Sequence, residues 1–402
     1  MNRTDDNNNL SNFYIAFVFA FAFIATFLVT LKICSQCGGD DFIPHARWAD
    51  DYSNGRLKMY YPVYYILLET FSHLFRMSQN TSIAFVQSFM NVLSLVCVYF
   101  ISKLYISKVY WIDEKKIAYI VLFMTFFGPL YAGTKYYYLG PGSYNPWHNP
   151  TLVCVKPVAL VCFYMFCFRI SNNIECINVF NRKVTLKLYD FILSILILFS
   201  CICKTSFYQV FAPTVTCIVI IQFLRKKLSF LQCVDYVKIL VPATIMILFQ
   251  LLNISFSDEA GRGIGIGLFL SLRDHGLNIR VIILGYFLAV AFPIFIFFFC
   301  KSSKRNISYY SSVVFYLIAF FQAAFLYEKV NTSHGNFGWG YLLSLGILFL
   351  YSIFEFINYM NEEKHKFQSM LTIIGYLLLS SHFIFGIWFF IELLFVRNVS
   401  WF

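Results

Sequence analysis

Asp40-Asp41 follows Gly38-Gly39 at the end of a long apolar run, and this pair holds the carboxylates best placed in the chain for general-base chemistry. A carboxylate tuned by a half-buried site can take the proton from a hydroxyl as that hydroxyl attacks. The plainer alternative is a hydrated loop in which the acids pair with Arg47 and Arg56. A second set of reactive types stands in Asn145-Pro146-Trp147-His148-Asn149-Pro150-Thr151. A helix entry accounts for Asn149, Pro150 and Thr151, but not for Trp147 and His148 together. Lys156 lies about one and a half turns further on, inside an apolar helix, where an ionised side chain marks a functional position and an anionic headgroup is its natural partner. Lys204, in Lys204-Thr205-Ser206-Phe207 between two apolar runs, supplies another cation at the same level. Arg273, His275 and Arg280 follow the Gly-rich stretch Gly261 to Gly267, which reads either as a mobile segment closing over a ligand or as a plain connector. It is not a nucleotide loop, since no strand precedes it and no Lys-Ser/Thr follows. His334 and Asn336 join Trp339 at another helix entry, where the Trp by itself suits an interfacial belt.

The elements that must position these residues are helices in a membrane. The chain has 402 residues, of which 59% are hydrophobic, 21% aromatic and only 13% charged. That composition excludes a water-soluble protein, and a nucleic-acid-binding protein with it, because the basic residues lie between apolar runs rather than in solvated patches. A spanning helix needs about 20 mostly apolar residues. Such runs lie near 13–33, 82–104, 117–133, 151–170, 188–203, 209–224, 238–254, 281–300, 308–327, 339–359 and 369–395, which predicts eleven spans in a single integral membrane domain over 1–402. A short amphipathic helix is expected from Pro44 to Ser53, stopped by Asn54-Gly55. Tyr61 to Arg76 is apolar enough to tempt a further span, yet it contains Glu69, His73 and Arg76. Placing it along the membrane surface puts 18 of the 31 Lys and Arg on one side, as the positive-inside rule requires. The amino terminus is then cytoplasmic and the carboxyl terminus outside. The outer loops become 34–81, 134–150, 204–208, 255–280 and 328–338, and every unusual polar sequence falls in them. Most of the twelve cysteines sit inside the apolar runs as small core residues. Cys34 and Cys37 form the one Cys-x-x-Cys, readable as two thiols, a disulfide or, least well without a second pair, half a zinc site.

An acid just past the first span, an amphipathic stretch ending in Gly, and Tyr61-Pro62-Val63-Tyr64-Tyr65-Ile66-Leu67-Leu68 before the second span resemble the first periplasmic loop of GT-C polytopic membrane glycosyltransferases. The blocks around Asn145, Lys204 and His334 resemble membrane proteins of bacterial surface-polysaccharide gene clusters. The resemblance implies an all-α fold with membrane-parallel helices in the first outer loop. In the pattern Asp41-Phe42-x-x-His45 it makes Asp41 the base and Asp40 the reserve, with His45 beside them. Where the pattern would have His-Pro, this chain has Tyr61-Pro62, so no role transfers to position 61. The implied donor is a polyprenyl-phosphate or pyrophosphate-linked sugar, with a glycan or lipid as acceptor, at the outer face of a bacterial inner membrane. Lys156, Lys204, Arg273 and Arg280 are the candidates to hold its phosphates, and Trp147, His148, Asn149, His334 and Asn336 complete the expected binding set. No cofactor is required if cations neutralise the leaving phosphate; the alternative is a divalent ion on Asp40, Asp41 and His148. Two other functions share many of these features, a repeat-unit polymerase and a lipid-linked sugar flippase. A transporter would place its polar groups near the bilayer midplane, whereas here they gather toward one face.

Overall fold

In lipid, backbone N–H and C=O groups must be satisfied within the protein, and a helix does this inside one segment. The computed structural model describes residues 3–36, 41–106, 114–130, 142–145, 147, 149–172, 176–179, 182–255, 263–300, 307–332, 335–361 and 366–395. In chain order the elements are α1 (Arg3–Gln36), α2 (Phe42–Ser53), α3 (Val63–Phe75), α4 (Gln79–Ile106), α5 (Glu114–Phe126), α6 (Pro150–Ser171), β1 (Cys176–Val179), β2 (Arg182–Thr185), α7 (Leu186–Cys203), α8 (Ser206–Leu224) and α9 (Phe230–Ser255). Then follow β3 (Ile264–Ile266), α10 (Leu270–Asp274), α11 (Ile279–Ala289), α12 (Ala291–Phe299), α13 (Ile307–Phe325), β4 (Leu326–Glu328), α14 (Gly338–Met360) and α15 (Lys366–Phe395). Among the described residues, α1, α4, α6, α7, α8, α9, α13, α14 and α15 are long and apolar enough to cross a bilayer. The pair α11 and α12, bent by 59°, makes a tenth span if counted as one.

The expected eleventh span, 117–133, differs from what the structure shows. Helix α5 has 13 residues, roughly 20 Å at 1.5 Å per residue, against about 30 Å of hydrocarbon. Gly128-Pro129 follows its end, and the freed carbonyls find partners in the protein. Asn145 Nδ2 donates to Met124 O at 3.2 Å and to Thr125 O at 2.9 Å. Gly128 N donates to His382 O on α15 at 3.1 Å, and His382 Nδ1 donates to Gly128 O at 2.7 Å. The other ring nitrogen, Nε2, accepts from Phe292 N at the start of α12, at 3.3 Å. One imidazole thus closes two helix ends at once. Gly386 permits this approach, since a Cβ there would lie 1.6 Å from Phe126 O.

Packing follows the inside-out logic of a membrane protein. Helix α14 is central, with 94% of its apolar window buried, while only 22% of that of α9 is. Large apolar side chains such as Phe17, Leu248 and Ile373 therefore remain exposed where lipid is their solvent. The short amphipathic helix and the surface segment predicted in the first loop are present as α2 and α3. Helix α2 ends at Asn54, with Gly55 in the left-handed region at φ +69°, and α3 buries Tyr64, Tyr65 and Leu68. At 13 residues α3 is too short to span.

The Gly-rich segment is pinned where it is described. Strand β3 pairs antiparallel with β4, Ile264 opposite Glu328 and Ile266 opposite Leu326. A Cβ at Gly265 would come within 2.3 Å of the Tyr327 ring, so the ring lies over the strand where the glycine leaves room for it. Residues 264–266 are thus a paired strand rather than a mobile flap. At the opposite end of the bundle stand ion pairs of a different kind, Lys103 with Glu114 and Arg169 with Asp190, both at 2.9 Å. Arg169 is buried there, with its guanidinium over the Tyr236 ring.

Candidate active site

Asn149 organises the end of the bundle that α2 and α3 cover. It is the N-cap of α6, and its Oδ1 accepts from Leu152 N at 2.9 Å, satisfying one of the helix's orphan donors. The same oxygen accepts from Lys204 Nζ and from Thr151 Oγ1, each at 3.2 Å. Donors on that oxygen fix the orientation of the amide, so Nδ2 faces the other way and donates to Asp41 Oδ2 at 3.2 Å. A carboxylate and an ammonium therefore stand on opposite sides of one side chain whose geometry is set by a helix start. Lys204 also donates to Thr151 Oγ1 at 2.7 Å and lies 5.0 Å from the centroid of the Trp339 ring. Trp339 Nε1 donates to Asn336 Oδ1 at 3.2 Å, and Asn336 Nδ2 donates to Glu328 at 2.9 Å. Four segments far apart in sequence thus meet here: the starts of α2, α6, α8 and α14.

Two residues on α2 and α3 wall the site. His45 lies one turn beyond Asp41, its N donating to Asp41 O at 3.1 Å, and its Nδ1 is 2.8 Å from Tyr65 Oη. Its ring stacks on Tyr65 with centroids 5.8 Å apart. Burial, with Lys204 nearby, pushes His45 down to about 3, so the imidazole is neutral. Burial also raises the Tyr65 hydroxyl above its ordinary range, which keeps it protonated. Lys204 is half-buried. Burial lowers it to about 8, against the opposing pull of Asp41, which favours its charged form.

The predicted residues divide by position. Asp41, His45, Asn149, Lys204 and, through Trp339, Asn336 come together. Lys156 does not join them. It lies seven residues along α6 from Asn149, roughly 10 Å on, fully buried, donating to Asn145 Oδ1 at 3.0 Å and 4.1 Å from the centroid of the Tyr144 ring. Trp147 is buried against Phe126 and Phe390. Both line a cavity of about 10 Å³, enough for a single water, with Thr26, Gln87 and Asn91 on its other walls. Arg273 and Arg280 are exposed near the β3–β4 side, and no contact between them and the Asp41 cluster occurs among the described residues. Asp40, His148 and His334 lie outside the described residues. Among those described, no group of three or more His, Cys, Asp or Glu is arranged to hold a metal ion. Tyr65, Thr151 and Tyr144 were missed from sequence. Tyr64-Tyr65 entered the sequence reading only as part of the block before the second span, and only the tertiary fold brings Tyr65 onto His45.

The sequence matches no family profile and no curated protein. Among solved structures the fold is similar to that of ArnT from Cupriavidus metallidurans bound to undecaprenyl phosphate, with TM-score 0.52 and 9% identity, covering 95% of this chain and 76% of that one. The two chains share an architecture across nearly the whole length of the present one while sharing few residues. The polytopic helical bundle, with α2 and α3 lying over the start of α6, has an ArnT-like fold, consistent with the all-α architecture and first-loop helices expected from the sequence.

Proposed function

We propose that this protein is an inverting membrane glycosyltransferase, moving a hexosyl or pentosyl group from a polyprenyl-phosphate-type donor to an acceptor hydroxyl at the outer face of a bacterial inner membrane, in surface polysaccharide or glycoconjugate synthesis. The observation that carries it is the placement of Asp41 and Lys204 on opposite sides of Asn149. In-line displacement at an anomeric carbon needs a base on one side and charge stabilisation of the leaving group on the other. Asp41 takes the proton of the acceptor hydroxyl as its oxygen forms the bond to the anomeric carbon. The bond from that carbon to the phosphate oxygen breaks, and the phosphate leaves with the electron pair toward Lys204. Asn149 holds both groups in register. His45, neutral beside Lys204, adds hydrogen-bonding capacity without adding charge. The ArnT structure holds a polyprenyl phosphate, and a donor of that chemistry suits a site where the available cation is a half-buried lysine at a membrane edge.

The test is turnover of a polyprenyl-phosphate sugar by the purified protein in nanodiscs. Asp41→Asn lowers turnover by roughly 10²- to 10⁴-fold with an unchanged unfolding temperature. Asn149→Asp keeps the helix cap but replaces the donor to Asp41 with a second carboxylate, so the protein stays folded and loses activity. Full activity of Asp41→Asn, with Asp40→Asn also active, removes the proposed base.

A further inference from the structure

The two faces of α2 have different surroundings. Asp41, His45 and Tyr52 fall on the face toward Tyr65, while Ala46, Asp50 and Ser53 fall on a separate face centred roughly 125° away by a 3.6-residue repeat, with Asp50 itself directly opposite Asp41. Behind that second face is an open groove of about 330 Å³ lined by α2, α3 and the start of α4. A volume of this size is within the range of small-molecule sites. Its chemistry is one-sided. The charged and titratable groups that line it are Asp50, Glu69 and His73, with Ser53, Ser72 and Ser82 among the hydroxyls, and neither Lys nor Arg lines it. Leu68 and Ala46 give it an apolar floor.

We infer that this groove binds a carbohydrate unit that carries no acidic group. Carboxylates accept hydrogen bonds from hydroxyls or pair with an ammonium, and the side-chain amide of Gln79, with the second N–H of Asn54 whose Nδ2 also donates to Asp50 O at 2.7 Å, offers donors to ring and hydroxyl oxygens. Glu69 Oε2 already lies 3.3 Å from His73 Nε2, which leaves Asp50 as the carboxylate of the groove with no Lys or Arg beside it, so an anionic ligand such as a lipid phosphate is disfavoured here. Asp50 lies nine residues along α2 from Asp41, roughly 14 Å, on the opposite face. The bound unit is therefore not the reacting sugar but a recognition element remote from it. Its identification as part of the acceptor rests on the glycosyl-transfer reading; binding itself does not.

The experiment is saturation-transfer NMR on the full-length protein in nanodiscs, with glucose, galactose, N-acetylglucosamine, glucosamine and glucuronate as probes. Saturable binding is expected for at least one neutral or amino sugar and none for glucuronate. Ser53→Trp, at an exposed position that fills the groove, weakens binding at least tenfold. Asp50→Asn with Glu69→Gln abolishes glucosamine binding if the ammonium is recognised, and weakens a neutral sugar less if hydroxyls are. Asp41→Asn leaves binding unchanged, so loss of the catalytic reading does not alter this outcome. The inference is overturned if no neutral or amino sugar saturates, if Ser53→Trp binds like the wild type, if glucuronate binds equally well, or if Asp41→Asn abolishes binding and so moves the ligand to the other face.

Discussion

Lys204 carries its positive charge on a narrow margin. Burial takes it down to about 8 from an ordinary 10.5, and the nearby Asp41 carboxylate is what keeps it from falling further. Two effects of opposite sign follow. If the protein takes the lipid-phosphate donor proposed above, that binding requires the ammonium, and affinity for undecaprenyl phosphate should fall as pH rises through about 8. Folding responds the other way: a base with a lowered pKa in the native state is penalised when protonated, and that penalty is full below about 8 and relieved between 8 and 10.5. Unfolding temperature should therefore rise over the window in which affinity drops. In Asp41→Asn the favourable carboxylate is gone, and the midpoint of the affinity curve moves below that of the wild type. Titration of lipid-phosphate binding by both proteins from pH 6 to 10 checks this; identical midpoints would disconnect Lys204 from Asp41. His45 stays neutral throughout that range and contributes no slope.

Single polar residues decide where the elements stop. His382 donates from Nδ1 to Gly128 O beyond α5 and accepts at Nε2 from Phe292 N at the head of α12. Its replacement by Leu leaves a buried carbonyl and a buried N–H without that partner, at a cost of roughly 1–3 kcal/mol each. His382→Leu should lower the unfolding temperature in detergent by several degrees while leaving lipid-phosphate affinity near wild type, since α5 and α12 do not bear Lys204 or Asp41. An unchanged unfolding temperature would show that water replaces the imidazole. The same residue explains what sequence could and could not reveal. The length of the apolar runs located every helix long enough to span among the described residues, and Asn54-Gly55 and the charges of Tyr61 to Arg76 located α2 and α3, because local composition determines those features. The early end of α5 was not legible, since its carbonyls are satisfied by residues 20 and 254 positions away. For the site, Asp41, Asn149 and Lys204 stood out as polar groups at span edges, where desolvation makes such types costly. Lys156 stood out for the same reason but found its partners, Asn145 and Tyr144, inside the bundle. Local sequence flags an expensive residue; only the tertiary fold says what it faces.

Across the whole molecule the charges sort by end. One end carries the Asp41, Asn149 and Lys204 cluster, the Arg56–Asp51 pair at the end of α2 and the paired strands β3 and β4, while the other carries the pairs of Lys103 with Glu114, Arg169 with Asp190 and Lys238 with Asp235. The positive surplus of the chain, +11 from 31 bases and 20 acids, gives this arrangement a direction. Basic loops are retained in the cytoplasm, so the end that holds Lys103, Lys116, Arg225 and Lys227 should be internal and the site external. That orientation also fits the chemistry proposed, because nucleotide sugars are confined to the cytoplasm and an external site must draw on a lipid carrier. The shortened α5 makes the connection from Lys116 to Asn149 the place where the arrangement is most exposed to test. A helix of 13 residues, roughly 20 Å long, does not cross alone. Reporter fusions after Lys116 and after Lys227 should both report cytoplasm, and a fusion after Thr151 should report the outer side. If the Thr151 fusion instead reports cytoplasm, the segment returns to the side it came from, and Asp41 and Lys204 could no longer share Asn149 at one face of the membrane.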